Sequence, residues 1–217
     1  GGTTIDSHHH VLIGYGAGGT GDIANNGATA VGYQALTALT SGERNLAIGF
    51  QAADTLTQGD DNVAIGHSAL GGATTTDGID KNVAIGNGAM SGTNAGAAQN
   101  VAVGYAALDG NLTSAADNNT AVGHYAGSAI TSGASNTSIG SNSGYTLSTG
   151  IRNTFIGNSA GYATVDVDNS VFIGYNAGSG ADITAAADGT IGIGVSSLAA
   201  LTSGEANIAI GYQAMLT

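Results

Sequence analysis

One short phrase recurs through the whole chain and leaves few folds open to it. Residues 62–70 read NVAIGHSAL and residues 82–90 read NVAIGNGAM; residues 45–52 read NLAIGFQA and residues 207–215 read NIAIGYQAM. Anchored on the glycine that follows Ile or Val, the units fall at Gly14, Gly32, Gly49, Gly66, Gly86, Gly104, Gly123, Gly140, Gly157, Gly174, Gly194 and Gly211, twelve in all, at steps of 17 to 20 residues. The residue before the anchor is Ile in nine units and Val in three, and three before it stands a β-branched residue or Leu in all twelve. Three after it stands Ala in ten units, with Ser143 and Ser197 in the other two, and Asn lies four before it in eight. A period of this length sustained from end to end marks a repeat architecture, in which each unit is one coil and neighbouring coils supply the packing. Residues 1–217 are read as a single repeat domain of a fibre.

Within a unit the residue types alternate with a period of two, which predicts a short strand. In Asn62-Val63-Ala64-Ile65-Gly66, Val63 and Ile65 point to one side and Ala64 to the other. Five units then carry a turn phrase, LTSG at 39–42, LTQG at 56–59, ITSG at 130–133, LSTG at 147–150 and LTSG at 201–204. The longer steps lengthen this same segment, and a stacked coil tolerates insertions confined to one corner. The expected fold is therefore all-β, a parallel β-solenoid or β-roll of about twelve coils of 17–20 residues. Such a stack is a rod about 50 Å long, since strands repeat every ~4.8 Å. Ile and Val are expected to fill its interior, and the Asn column to hydrogen-bond from coil to coil at a corner.

If Ile and Val fill the coil, the residue two before each anchor faces outward. That stripe runs through Ala47, Ala64, Ala84, Ala102, Ala121, Phe155, Phe172 and Ala209. A long apolar stripe needs a cover. It is expected to lie at the axis of a homotrimer, and copies are expected to stack end to end or to be slices of one longer fibre.

Composition removes several classes. With 3 Lys and Arg against 15 Asp and Glu, a net charge of −12, nucleic acid is not an expected partner. The 38 glycines argue against long helices. No apolar run approaches the roughly 20 residues of a membrane span, so no membrane insertion is expected. There is no Cys, hence no disulfide framework or thiol chemistry. The chain opens without Met or a signal peptide, which reads as a processed form or a fragment.

NVAIG and NIAIG resemble the head repeats of trimeric autotransporter adhesins, the YadA-like heads, and NTAVGHYAG at 119–127 and NTFIGNSAGY at 153–162 are similar to repeats of bacteriophage tail-fibre proteins. That resemblance implies a β-roll wound as a trimer, on a virion surface or outside a cell. The units here are longer than those of adhesin heads. The expected function is a structural fibre segment of a phage tail fibre or surface adhesin, displaying corner loops for attachment, with a cell-surface glycan or receptor as partner. The alternatives weighed beside it are a self-assembling extracellular filament subunit, an ice-binding solenoid and a polysaccharide-degrading one.

Few residues suggest chemistry. All charged residues lie outside the core phrases, on corners and insertions, so no enzyme is expected: glycan cleavage needs a pair of carboxylates on one scissile bond. Asp60-Asp61 and Asp166 with Asp168 could hold Ca²⁺, but no EF-hand or calcium-roll spacing is present. His8, His9 and His10 read as a polar lead-in rather than a metal site, and no cofactor is expected. The residue after the anchor is aromatic or His in eight units: Tyr15, Tyr33, Phe50, His67, Tyr105, His124, Tyr175 and Tyr212. The tyrosines among them, Tyr15, Tyr33, Tyr105, Tyr175 and Tyr212, are candidates for surface binding, because a phenol offers sugar an apolar face and a polar tip. Packing of these rings on the next coil is the competing reading. For ice binding, Thr120, Thr137 and Thr154 stack in successive units but are assigned to the interior, and the corner column of Thr40, Thr57, Thr74, Thr131 and Thr202 is interrupted.

Overall fold

The computed structural model describes residues 9–19, 27–72, 78–180 and 183–216; His8 and Thr74 lie outside them. Its strands are β1 (Val11–Ile13), β2 (Thr29–Val31), β3 (Leu46–Ile48), β4 (Val63–Ile65), β5 (Val83–Ile85), β6 (Val101–Val103), β7 (Thr120–Val122), β8 (Thr137–Ile139), β9 (Thr154–Ile156), β10 (Val171–Ile173), β11 (Ile191–Ile193) and β12 (Ile208–Ile210). They form one 12-stranded sheet in chain order, and every pair is parallel. The protein is a β-solenoid of about 11 turns. Each expected core phrase supplies one strand, and equivalent positions stack, Val63 on Val83 on Val101 and Ile65 on Ile85 on Val103.

The anchor glycine is what lets a coil this small close. At Gly66 the backbone sits at φ +137°, and a Cβ there would stand 2.3 Å from the carbonyl oxygen of Gly86 in the next coil. No other residue fits such a contact. Beyond the anchor the chain turns through alternating handedness. The second and fourth residues are left-handed in coil after coil, as at Ser68 (φ 51°) and Leu70 (φ 53°), although most are not glycine. Between coils such residues are held by a neighbour's backbone: Ser68 N donates to Phe50 O, and Leu70 N to Ala89 O, both at 2.9 Å. These bonds offset the backbone strain, which for a non-glycine residue is of order 1–2 kcal/mol.

The coil faces the opposite way from the expectation. Ala47, Ala64, Ala84, Ala102, Ala121, Phe155, Phe172 and Ala209 are buried inside a single chain, from 0% to 3% exposed, so this stripe is not available as a trimer axis. Ile and Val lie on the outer face, half-buried against one another, with Ile48 and Ile139 each 38% exposed. The reason is room. The interior also takes the Ala column three after the anchor (Ala52, Ala69, Ala89), the residue four after it (Leu70, Met90, Leu108) and a corner residue such as Leu39, Leu56, Ile130 or Leu147. With those in place, only a small residue fits behind the strand. Thr120, Thr137 and Thr154, assigned to the interior from sequence, share the outer face with Ile and Val.

The Asn column is buried and forms a ladder. Asn136 donates from Nδ2 to Asn119 Oδ1 (3.1 Å) and to Gly150 O (2.8 Å), and its Oδ1 accepts from the Asn153 backbone N–H and Nδ2, each at 3.0 Å. Each buried amide is thus satisfied by the coils on either side, as low-dielectric burial requires. Beyond Asn153 the ladder continues through shorter side chains, with Ser170 N donating to Asn153 Oδ1 and Thr190 N to Ser170 Oγ. Longer coils put their extra residues on one corner, where Ala95 bridges Thr113, Thr164 bridges Ile183, and Ala185–Ala187 make one 3-10 turn.

Candidate functional site: an aromatic column beside the sheet

The residue after the anchor is the first of the turn and points outward, while Ala two residues later points in. Because the anchors are in register, side chains at this position rise one above another along the sheet edge. Four of them form a continuous stack. Tyr15 and Tyr33 have ring centroids 5.5 Å apart at 14°, Tyr33 and Phe50 5.0 Å at 11°, and Phe50 and His67 5.2 Å at 6°. Asn87 interrupts the stack, Tyr105 and His124 resume it at 5.2 Å and 16°, and Ser141 and Asn158 end it again.

Of the five tyrosines proposed from sequence, Tyr15 and Tyr33 are thus brought together and Tyr105 pairs with His124. Tyr175 and Tyr212 have no ring neighbour among the described residues, with Val195 on the rung between them. The rings remain exposed, Tyr105 at 48% and Tyr175 at 55%. Inside a stack, however, each face covers the next ring, and only edges meet solvent. Open faces occur where the column is interrupted.

A second group was not singled out from sequence in full. Tyr125 meets Tyr105 and His124 edge-on, at 5.4 and 4.4 Å, and Tyr145 at 6.0 Å, while Tyr145 stacks on Tyr162 at 5.1 Å and 4°. A hydrogen bond with the Tyr105 hydroxyl, then that group's charge, hold the Tyr125 phenol above its ordinary pKa. Tyr125 stands two residues after Gly123 at φ 54°, so its direction depends on a left-handed turn that sequence alone does not reveal.

The acidic residues singled out from sequence have structural partners. Asp60 Oδ1 accepts from the Glu43 N–H and Asp168 Oδ1 from the Ile151 N–H, at 2.8 and 2.7 Å. Asp60 N in turn donates to Asp80 Oδ1, and Asp168 N to Asp188 Oδ1, so one carboxylate column links coils as the Asn column does. Asp61 pairs with Arg44 of the preceding coil at 2.6 Å, and that bond lowers its pKa. Asp166 Oδ1 accepts from the Ala185 N–H. His10 Nδ1 accepts from the Ala28 N–H. Among the described residues no three His, Asp or Glu side chains converge, and no helix is long and apolar enough to cross a membrane.

Comparison of the chain with protein-family models, curated proteins and solved structures returns no match.

Proposed function

We propose that the chain is a structural segment of an extracellular or virion-surface fibre, in the manner of a phage tail fibre or surface adhesin, built from three copies packed through the outer face of the sheet. The observation that carries this reading is that face. Twelve in-register strands present two columns of mostly Ile and Val, from Val11 and Ile13 to Ile208 and Ile210. A strip about 50 Å long and 10 Å wide amounts to on the order of 500 Å² per chain. Each partner of a standard two-chain interface gives about 800 Å², so this smaller strip depends on its largely apolar make-up and its continuity along the twelve strands. The resemblance of the repeats to adhesin heads supplies the number three. In this arrangement the sheet is the axis, the insertion corner and the aromatic column stay outside, and the outer surfaces are free for attachment to a cell-surface glycan or receptor.

Light scattering tests the assembly. The parent should have the mass of three chains. Ile65→Asp with Val103→Asp places like charges on the shared face and should give a folded monomer, whereas Gln58→Glu with Ser203→Glu, on the turn corner, should leave the trimer intact. A monomeric parent, or a trimer that survives the double Asp change, overturns the reading. Ala64→Glu with Ala102→Glu should instead unfold the coil, because those positions are buried within one chain.

A further inference from the structure

We propose that the interrupted rung at Asn87, walled by the rings of His67 and Tyr105, is a binding slot for a neutral pyranose residue of a glycan. The argument starts from the pitch of the column. Where every coil carries a ring, neighbours stand 5.0 to 5.5 Å apart with their planes nearly parallel. β4, β5 and β6 are successive strands, so His67 and Tyr105 are separated by two steps, with Asn87 on the step between. Their facing rings are therefore about 10 Å apart. Asn87 is short and exposed, and its side chain has no hydrogen-bond partner among the described residues. Beyond its amide, no other side chain of this column stands between the two rings.

The floor selects the occupant. A ring entering midway lies about 5 Å from each wall. A flat aromatic ligand fits that spacing as the column's own rings do, with centroids 5.0 to 5.5 Å apart, but gives the Asn87 amide few partners. A pyranose chair is thicker, because axial hydrogens project from both faces, and so reaches both walls. The Asn87 amide offers a donor pair and an acceptor to ring hydroxyl or acetamido groups. A chain net charge of −12 disfavours acidic sugars. A second interrupted rung has rings on both sides, Tyr175 and Tyr212 around Val195, but its floor is apolar and offers a sugar no hydrogen bond. The pair is an internal contrast between a polar and an apolar floor.

This inference deepens the attachment reading and rests on it for its biological setting. Both walls and the floor belong to one chain, so its test does not depend on the assembly. Chitotriose is titrated into the isotope-labelled protein, with sorbitol as an open-chain control. Saturable shifts are expected at the Asn87 side-chain amide and the His67 and Tyr105 rings, with a dissociation constant of about 1–10 mM, a single-slot affinity. Sorbitol should give none. Asn87→Ala keeps the walls and should weaken binding several-fold. Asn87→Tyr should weaken it by about tenfold or more by completing the stack, and should fold, since Tyr occupies this position in other coils. Val195→Tyr should change nothing. No saturable shift, equal shifts with sorbitol, or binding that survives Asn87→Tyr overturns the slot. Indole binding there more tightly than chitotriose overturns the ligand class.

Discussion

The coils around Ala64 and Ala84 and those around Phe155 and Phe172 share one backbone and fill it in opposite ways. In the first pair the strand side is small and the turn side large, Ala64 facing Leu70 and Ala84 facing Met90. In the second the strand side is large and the turn side has no side chain. A Cβ at Gly161 would stand 2.8 Å from the Phe155 ring, and one at Gly178 2.5 Å from that of Phe172. Gly192 and Leu198 return to the first arrangement, a Cβ at Gly192 meeting Leu198 Cδ1 at 3.0 Å. Backbone strain does not explain the glycines, because Leu70 occupies the same turn position at φ 53° while Gly178 has φ 56°. In these coils a large residue on one wall is matched by a small one or none on the other, as close packing demands. Ala47 with Ala53 keeps both walls small.

The largest effect should come from emptying a Phe coil. Phe172 is 0% exposed and stacks on Phe155 at 5.5 Å, so Phe172→Ala should destabilise the fold by about 3–5 kcal/mol, measured by urea unfolding. Adding Gly178→Leu converts this coil to the other arrangement. The double variant should recover most of the loss, while Gly178→Leu alone should be strongly destabilising through its clash with Phe172. Additive effects would show that the two walls do not share one space.

This trade-off is written in the sequence. The repeat, the parallel stack, the short strands and the Asn ladder follow from alternation and period, because those depend on backbone geometry common to every coil. The direction of the strand does not follow from alternation, which is symmetric between its faces. Hydrophobicity suggested Ile and Val inside, but the interior is too narrow once Leu70 or Met90 enters from the turn. The coincidence of Phe155 with Gly161, Phe172 with Gly178 and Gly192 with Leu198 carries that information in the letters themselves. At the aromatic column, Tyr15, Tyr33 and Tyr105 were legible as a column. Their mutual stacking was not, because it depends on the coil pitch, nor was Tyr125, which is aimed by a left-handed turn.

The polar ladder also changes along the stack, before and after the Phe155 coil. At the level of Asn136 the amide makes bonds to both neighbouring coils, whereas beyond Asn153 the column passes to Ser170, whose Oγ donates to Asp168 O at 3.1 Å and accepts from Thr190 N at 3.1 Å. Asn136→Ala leaves buried donors on Asn153 unpaired and should cost about 2–4 kcal/mol; Ser170→Ala removes a single acceptor from Thr190 and should cost about 1–2 kcal/mol. Unfolding curves of the two variants at one pH separate these. Equal losses would mean that the Asn amides are satisfied by water once a rung is removed.

The smallest effect concerns the turn residue next to the core, five after the anchor, where the first half of the chain has Asp54 and Asp109 and the Phe155 coil has Tyr162. Burial raises the pKa of both carboxyls, partly countered by backbone hydrogen bonds. A carboxyl whose folded-state pKa is raised binds its proton more tightly in the folded chain. Its charge therefore subtracts stability as pH rises from the ordinary carboxylate value, near ~4, through the raised folded value, and subtracts nothing below that window. Asp109→Asn should accordingly be more stable than the parent at neutral pH and equal to it at about pH 3. The gain should be less than about 1 kcal/mol, because the group is still partly solvated. Tyr125 gives a local readout of the same charge. Its raised pKa owes most to the hydrogen bond with Tyr105 and less to Asp109, so the variant should lower it only slightly, whereas Tyr105→Phe should lower it clearly. Thermal unfolding at the two pH values, with the phenol titration followed in the ultraviolet, tests both. A stability gain that persists at acid pH would place its origin in packing rather than in the buried charge.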